Sequence, residues 1–276
     1  MDVQQSKIQT IQLEKIKQFQ QKILQFYTKN KRTLPWRDTT DPYKILLSEL
    51  MLQQTQVNRV IDYYIRWIAL WPTIDALACA RRSEVLKEWM GLGFNTRAVR
   101  LHQAAKIIVT EFDSDVIAAM IRYKEIPGIG RYTSHAVQIF STNADLVTVD
   151  TNIRRILIKE FNLHENISDT TLWALAQLCL PKGRSRDWHN ALMDYGSLVQ
   201  TTRMTGIKPK TTQSRFDGSD RQLRASIIRM LLQHDESPEN LSKVLHIEHA
   251  RLMKILEKLI HEEIVTQNNN RFSLKE

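Results

Sequence analysis

Two carboxylates stand where this chain could cleave a glycosidic bond. Glu49 lies in DPYKILLSELMLQQTQV, residues 41 to 57, an apolar helical stretch in which Glu49, Gln53 and Gln56 recur at i, i+4 and i+7 and so share one face. Leu47, Leu50 and Leu52 flank the carboxyl, and partial desolvation favours the protonated acid near neutrality. A solvent-facing polar stripe on a half-buried helix is the other reading of the same pattern. Asp150 follows the apolar run Leu146-Val147-Thr148-Val149 and precedes the helical NIRRILIKEF, which is the place of an N-cap. Amide hydrogen bonds and the helix dipole are expected to hold such a carboxylate ionised, the state that can face a developing cation. An acid and an anion together are what glycoside cleavage through an oxocarbenium-like state requires, and a base on deoxyribose is a comparable leaving group.

Ile126-Pro127-Gly128-Ile129-Gly130-Arg131 adds a second kind of chemistry. Its two glycines permit torsions that other residues resist, so that successive amides can converge at the N-terminus of the helix beginning near Tyr132. Such a nest suits a phosphate. Val116, Ile117, Met120 and Ile121 before it, and Ala136, Val137 and Ile139 after it, keep helical spacing and complete a helix-hairpin-helix. An ordinary tight turn between packed helices reads the same glycines.

The elements that must position these residues are almost all helices. Few glycines and prolines and repeated three-to-four-residue apolar spacing predict helices near 8–27, 42–57, 58–70, 83–90, 95–112, 115–123, 131–141, 151–161, 169–179 and 186–199. The first has Ile11, Ile16, Phe19, Ile23 and Phe26 on its apolar face. From Thr201 to Asp220 the pattern gives way to TTRMTGIKPKTTQSRFDGSD, which reads as a basic linker, Arg203 to Gly218. A smaller unit, residues 219–276, then predicts three helices near 219–233, 237–245 and 248–262. A hairpin turning at Asn268-Asn269-Asn270 follows, giving a winged-helix-like fold. Arg221, Arg224 and Arg229 at helical spacing suggest phosphate contacts there. Glu236, Glu239, Glu248, Glu257, Glu262 and Glu263 leave a protein-interaction module open.

Composition bounds the partners. The 276 residues hold 39 Lys+Arg against 30 Asp+Glu, a net charge of +9 that suits a polyphosphate partner. Two cysteines, Cys79 and Cys179, give neither a disulfide framework nor a cysteine metal site and fit a reducing cytoplasm. No apolar run reaches bilayer length, so no membrane association is expected.

LPWRDTTDPYKILLSELMLQQTQV, GLGFNTRAVRLHQAA, IPGIGRYTSHA, VDTNIRR and ALMDYGSL, in that order over residues 19 to 200, resemble the catalytic core of MutY-type adenine DNA glycosylases of the helix-hairpin-helix, endonuclease III-like superfamily. The resemblance implies an all-α glycosylase domain of two helical subdomains, residues 1–202. It also implies an enzyme that flips adenine mispaired with 8-oxoguanine or guanine from duplex DNA and hydrolyses its glycosidic bond in base excision repair. Glu49 matches the acid that protonates adenine N7, and Asp150, with Asn152 beside it, the carboxylate that stabilises the sugar cation. Gln53 and Gln54 match residues that fill the space left by the flipped base. Phe94 stands where the family commonly has a wedging tyrosine, and Gly128, Gly130 and Arg131 match the hairpin that grips DNA. Tyr132 occupies the place of the Schiff-base lysine of bifunctional relatives, which implies base removal without efficient strand cleavage.

Two departures qualify the match. The family usually carries four cysteines for an iron-sulfur cluster after the last motif. Here Gln200 stands first and no cysteine follows, so a clusterless enzyme without iron is expected, leaving a monovalent cation at the hairpin carbonyls as the remaining cofactor. The family's C-terminal domain, which reads 8-oxoguanine, is expected to be missing or replaced. The leading expectation is thus a monomeric, monofunctional adenine DNA glycosylase. A thymine or uracil mismatch glycosylase and a catalytically silent lesion-binding protein are the alternatives. His135 replaces a small residue common in the family, without a sequence-level account.

Overall fold

The structure, a computed structural model, describes residues 3–210 and 215–276, with side chains from residue 13 onward. The side chain of Ile11 and residues 211–214 of the basic linker lie outside the described residues. Among those described, fifteen α-helices, two short 3-10 turns and one two-stranded hairpin account for the regular structure. They run α1 (Val3–Asn30), α2 (Pro42–Leu52), α3 (Val57–Leu70), α4 (Ile74–Cys79), α5 (Arg82–Trp89), α6 (Thr96–Phe112), α7 (Val116–Ile121), α8 (Arg131–Thr142), α9 (Thr151–Phe161), α10 (Asp169–Cys179), α11 (Ser185–Leu198), α12 (Thr202–Thr205), α13 (Asp220–Leu231), α14 (Pro238–Leu245) and α15 (His249–His261), then β1 (Val265–Asn268) and β2 (Arg271–Leu274). This is an all-α chain, as the apolar spacing predicts.

Side-chain caps explain many of the boundaries. Asp115, Asp150, Ser168, Ser219 and Ser237 each accept an amide of the first helical turn that follows. Asp113, Asn143, Asn162 and His246 end helices in the left-handed region, with φ of 53°, 56°, 53° and 50°. The short helix α4 and the four-residue α12 were not expected from periodicity, being too brief to show one.

The chain folds as two compact units, the first made of residues 1–45 and 129–212 and the second of residues 46–128 and 213–276. In the first, Phe19 and Ile23 of α1 pack on Ile153, Ile156 and Leu157 of α9, Leu172 of α10 and Trp188 and Ala191 of α11. The Phe19 ring meets Phe161 and Trp188 edge-on, each at 5.4 Å between centroids. The motif LPWRD is tied to ALMDYGSL through Asp194, which is fully buried. Arg37 reaches its carboxylate in two bonds, 2.8 and 2.9 Å, and Arg32 Nε in one of 2.5 Å. Burial pushes the Asp194 pKa up, but Arg37 and Arg32 outweigh it and hold the carboxyl below its ordinary range.

In the second unit α4, α5 and α6 pack together over Val85, Leu86, Leu101 and Ile108. The C-terminal segment forms its three helices and hairpin, with Val265 paired to Leu274 and Asn268 to Arg271. Asn269, at φ 55°, makes the turn in a conformation asparagine tolerates. This segment joins residues 46–128 through Arg82 Nη1, which donates to Glu263 O at 2.8 Å, while Gln103 donates to the Glu263 carboxylate. Several of the glutamates suggesting a protein partner are engaged internally. Glu262 pairs with Arg224, Glu263 with Lys275, and Glu236 accepts from Asn240.

The hairpin needs only one of its two glycines for backbone reasons, contrary to expectation. Gly128 has φ +79°, and a Cβ there would lie 2.8 Å from the Arg100 stem, whereas Gly130, with φ −98° and ψ 173°, is extended and has nothing within 4 Å of a built Cβ. Gly128→Ala should therefore destabilise the protein by at least about 1–2 kcal/mol, and Gly130→Ala should leave the melting temperature near that of wild type. Thermal unfolding of both variants checks this, and equal melting temperatures would refute the asymmetry.

Candidate active site

Asp150 is built into the first unit by the segment that precedes it. His135 Nδ1 lies 2.7 Å from Val147 O, Thr148 N donates to His189 Nε2 at 3.1 Å, and Ser185 Oγ donates to Leu146 O at 3.2 Å. His135 thus acquires a role: it clamps this extended segment while its ring edge rests on Trp173. To accept the Thr148 amide, Nε2 of His189 must be unprotonated, and burial ensures this by lowering the His189 pKa to about 4. Thr148 Oγ1 donates to the Tyr132 carbonyl at 3.4 Å, so Tyr132 and Asp150 hang from one short strip of chain.

The Asp150 carboxylate accepts Ile153 N at 2.7 Å and Asn152 Nδ2 at 3.1 Å. Asn152 is in turn held by Arg155, whose Nη2 donates to Asn152 Oδ1 at 2.6 Å and to Gly196 O at 3.0 Å. Gly196 lets α11 approach α9 closely enough for this, since a Cβ there would meet that of Asn152 at 2.8 Å. The balance of forces on the carboxyl differs from the sequence expectation. Asp150 keeps part of its surface open, yet desolvation raises its pKa above the ordinary carboxylate value, against the opposing pull of its hydrogen bonds and of Arg155. The cap bonds alone do not compensate for leaving water.

Glu49 belongs to the second unit, on α2, and is 7% exposed, so the solvent-facing stripe is not what the helix presents. The expected helical face of Glu49, Gln53 and Gln56 does not form. α2 ends at Leu52, Gln54 turns the chain at φ 55°, and Gln56 caps α3. Arg97 is the reason. Its Nη1 donates to the carbonyls of Leu50 at 2.7 Å, Met51 at 3.2 Å and Gln53 at 2.6 Å, taking the acceptors that a continued helix would have used. Its Nη2 donates to Leu92 O at 3.1 Å and Gly93 O at 3.0 Å, fixing the loop that presents Phe94. Phe94 stands 38% exposed at φ 49°. Arg97 was not singled out from the sequence, although Leu101, Ala104, Ala105 and Ile108, at i+4, i+7, i+8 and i+11, place it on a buried face.

The remaining expected DNA contacts divide. Gly130 caps α8, and Arg131 is exposed with its guanidinium 3.9 Å from the Trp173 ring centroid. Arg221 lies against Phe94 at 5.8 Å, but Arg224, one turn on, is engaged by Glu262 and is poorly placed to grip phosphate. The residues present do not fit an iron-sulfur cluster. Two cysteines cannot supply four thiolates. Cys79 lies in the second unit, and Cys179 in the first is buried with its thiol pushed up to about 12. Gln200 instead accepts Arg155 Nε on its carbonyl at 2.5 Å and donates its amide to Glu160. Among the described residues no group of three or more His, Cys, Asp or Glu could hold a metal, and no helix is long and apolar enough to cross a membrane.

Residues 47–181 match the model of the HhH-GPD superfamily of base excision DNA repair proteins. An adenine DNA glycosylase of Mycolicibacterium smegmatis is 35% identical over 76% of this chain and 78% of its own length. The human adenine DNA glycosylase is also 35% identical, over 66% of this chain, which spans 36% of that longer protein. Among solved structures, a thermostable thymine-DNA glycosylase superposes with a TM-score of 0.63 at 30% identity over 71% of this chain and 91% of its own. A trapped endonuclease III–DNA covalent intermediate shares the fold at 14% identity, with a TM-score of 0.62 over 72% and 90%.

Two outcomes follow from this geometry. Since folding raises the Asp150 pKa, ionised Asp150 costs stability at neutral pH. Asp150→Asn, which keeps a capping oxygen, should melt higher than wild type at pH 7, and the gap should close as pH falls below the unfolded carboxylate's pKa of about 3.9. A lower melting temperature for the variant at pH 7 would contradict the shift. Arg97→Lys, which cannot reach five carbonyls at once, should cost about 2–4 kcal/mol in urea unfolding; a loss within error would show that the carbonyls find other donors.

Proposed function

The chain belongs to the HhH-GPD superfamily of base excision DNA repair proteins and, within it, to the MutY-type adenine DNA glycosylases, and on that premise we propose that it hydrolyses the N-glycosidic bond of adenine mispaired with 8-oxoguanine or guanine in duplex DNA. The observation that carries the reading is the setting of Asp150. A carboxylate that burial makes poorly solvated, yet that Ile153 N and Asn152 hold in one orientation, is stabilised by a cation forming beside it.

In the proposed reaction Glu49 gives a proton to adenine N7. The electron pair of the C1′–N9 bond passes into the purine, which departs neutral, while positive charge develops on the sugar. Asp150 faces that charge, and water adds to C1′ and loses a proton. Tyr132 has no amine with which to form an imine, which supports base removal that leaves the strand intact. Phe94, with Gln53 and Gln54, supplies the residues that occupy the stack when the base leaves it, and the hairpin from Gly128 to Arg131 supplies amides for a phosphate. The protein acts on DNA as a monomer in this reading.

The rate should fall as pH drops through the raised Asp150 pKa, because only the ionised carboxylate opposes the cation. Duplexes carrying adenine opposite 8-oxoguanine, guanine or cytosine, and thymine or uracil opposite guanine, incubated with and without hot alkali, test the reading directly. Adenine should be released, with strand scission appearing after alkali only. Glu49→Gln and Asp150→Asn should each slow release by at least about 100-fold while leaving duplex binding largely intact. Release of thymine or uracil with adenine untouched would transfer the enzyme to another substrate.

A further inference from the structure

We propose that Trp173 is a positioning residue for DNA binding, its ring face holding the Arg131 guanidinium in place for a backbone phosphate of the duplex. The inference rests on the reading of the hairpin as a phosphate grip and adds to it a residue outside that motif, on α10. The Arg131 guanidinium carbon lies 3.9 Å from the Trp173 ring centroid, while every other cation–ring pair among the described residues is at 4.7 Å or more. At that separation the cation rests on the ring face, since an edge-on approach so close would overlap the ring's own atoms. Cation–π attraction fixes the head of a long side chain without using its N–H groups. Arg131 is exposed, and among the described residues no carboxylate or carbonyl takes those groups up. Other arginines of the same unit are engaged: Arg184 faces Asp187 at 3.6 Å, Arg186 donates to Ser141 O at 2.6 Å and Arg154 to Glu165 O at 2.5 Å.

Trp173 is itself anchored. It packs, partly buried, against the core that Leu172 and Ala176 of α10 enter, and His135 meets its ring edge-on, 5.5 Å between centroids and 77° between planes. Arg131 and His135 stand one turn apart on α8, so both reach the ring from one helix face. The bond between His135 Nδ1 and Val147 O fixes the imidazole in turn. Burial lowers the His135 pKa and the Arg131 charge adds to this, so near neutrality no second cation competes for the ring. A guanidinium already ordered on a ring loses less conformational freedom when phosphate binds than a loose one does. Plain packing of α8 on α10 would need no aromatic face under a cation.

The test measures duplex affinity at several salt concentrations for full-length wild type, Trp173→Leu, Trp173→Phe, Arg131→Ala, Arg131→Lys, and Arg131→Ala combined with Trp173→Leu. One duplex carries 2′-fluoro-2′-deoxyadenosine opposite 8-oxoguanine, whose electron-withdrawing fluorine resists cleavage, and a second is normally paired. Arg131→Ala should weaken binding and lower the slope of log affinity against log salt by about one, the mark of a phosphate contact. Trp173→Leu should weaken binding about 3- to 10-fold, and Arg131→Lys should do the same, because lysine keeps the charge but lacks the planar surface that stacks. Trp173→Phe, which keeps a ring face, should recover most of the loss. With Arg131 already removed, Trp173→Leu should cost nothing further. Equal loss from Trp173→Leu with and without Arg131 would overturn the proposal, since a merely structural ring behaves that way. Wild-type affinity in Trp173→Leu, or an unchanged salt slope in Arg131→Ala, would overturn it too. Should Trp173→Leu fail to fold, Arg131→Lys decides by itself, and wild-type affinity there would refute the stack. If wild type releases no adenine, the functional reading fails separately, and the normally paired duplex still decides the role of Trp173.

Discussion

One buried guanidinium organises the second unit. Arg97 is 9% exposed, and the hydrogen bonds of its two terminal nitrogens go to five backbone carbonyls and the Thr55 hydroxyl, none of them a carboxylate. Burial lowers its pKa to about 10, which still leaves it a cation near neutrality, and its Nε is left without a partner. A charge in that setting is costly unless backbone dipoles surround it. The consequence is that the end of α2, with Gln53 and Gln54, and the loop bearing Phe94 cannot move independently. Thr55 Oγ1, 3.4 Å from Leu92 O, adds a second link between them.

The first unit solves a related problem with the opposite sign of charge. In the proposed reaction Asp150 has to be a carboxylate to oppose a sugar cation, yet burial disfavours that form. The surrounding structure accepts the conflict and fixes geometry instead: two neutral histidines clamp the strip before it, and Arg155 orients Asn152 beside it. A site arranged for a charge that exists only during reaction is expected to be uncomfortable at rest. The role of Arg155 also bears on the missing cysteines. Its bonds to Gln200 O, Gly196 O and Thr202 Oγ1 join α9 to the end of α11 and the start of α12 without a metal.

Hydrogen bonds from Arg82 and Gln103 to Glu263 tie the C-terminal segment to residues 46–128. Its glutamates look, as a list, like an acidic face for a protein partner. In three dimensions Glu262 and Glu263 are engaged by Arg224, Lys275 and Gln103, and the Glu263 carbonyl takes Arg82. Glu239, Glu248 and Glu257 stay exposed, so part of that acidic face remains on the surface.

The helical class, most helix boundaries, the Asp150 cap and the Asn268-to-Asn270 turn were all legible in the sequence. Each depends on local chemistry, apolar period or a side chain reaching an amide two or three residues away. The shape of the candidate site was not legible to the same degree. Helical spacing carried Glu49, Gln53 and Gln56 along one face, but a guanidinium more than forty residues later in the chain takes the carbonyls and stops the helix. Local pattern also made both hairpin glycines look obligatory, while the Arg100 stem and a positive φ bear on Gly128 alone. The ionisation of Asp150 turned the same way: the cap was readable and favours the anion, but the desolvation that outweighs it depends on what packs around the carboxyl. Sequence by itself determined which residues could do chemistry and on which elements they ride, because those follow from neighbours along the chain. Tertiary structure alone decided where helices stop, which charges are buried and which arginines face carboxylates, because those follow from residues brought together across it.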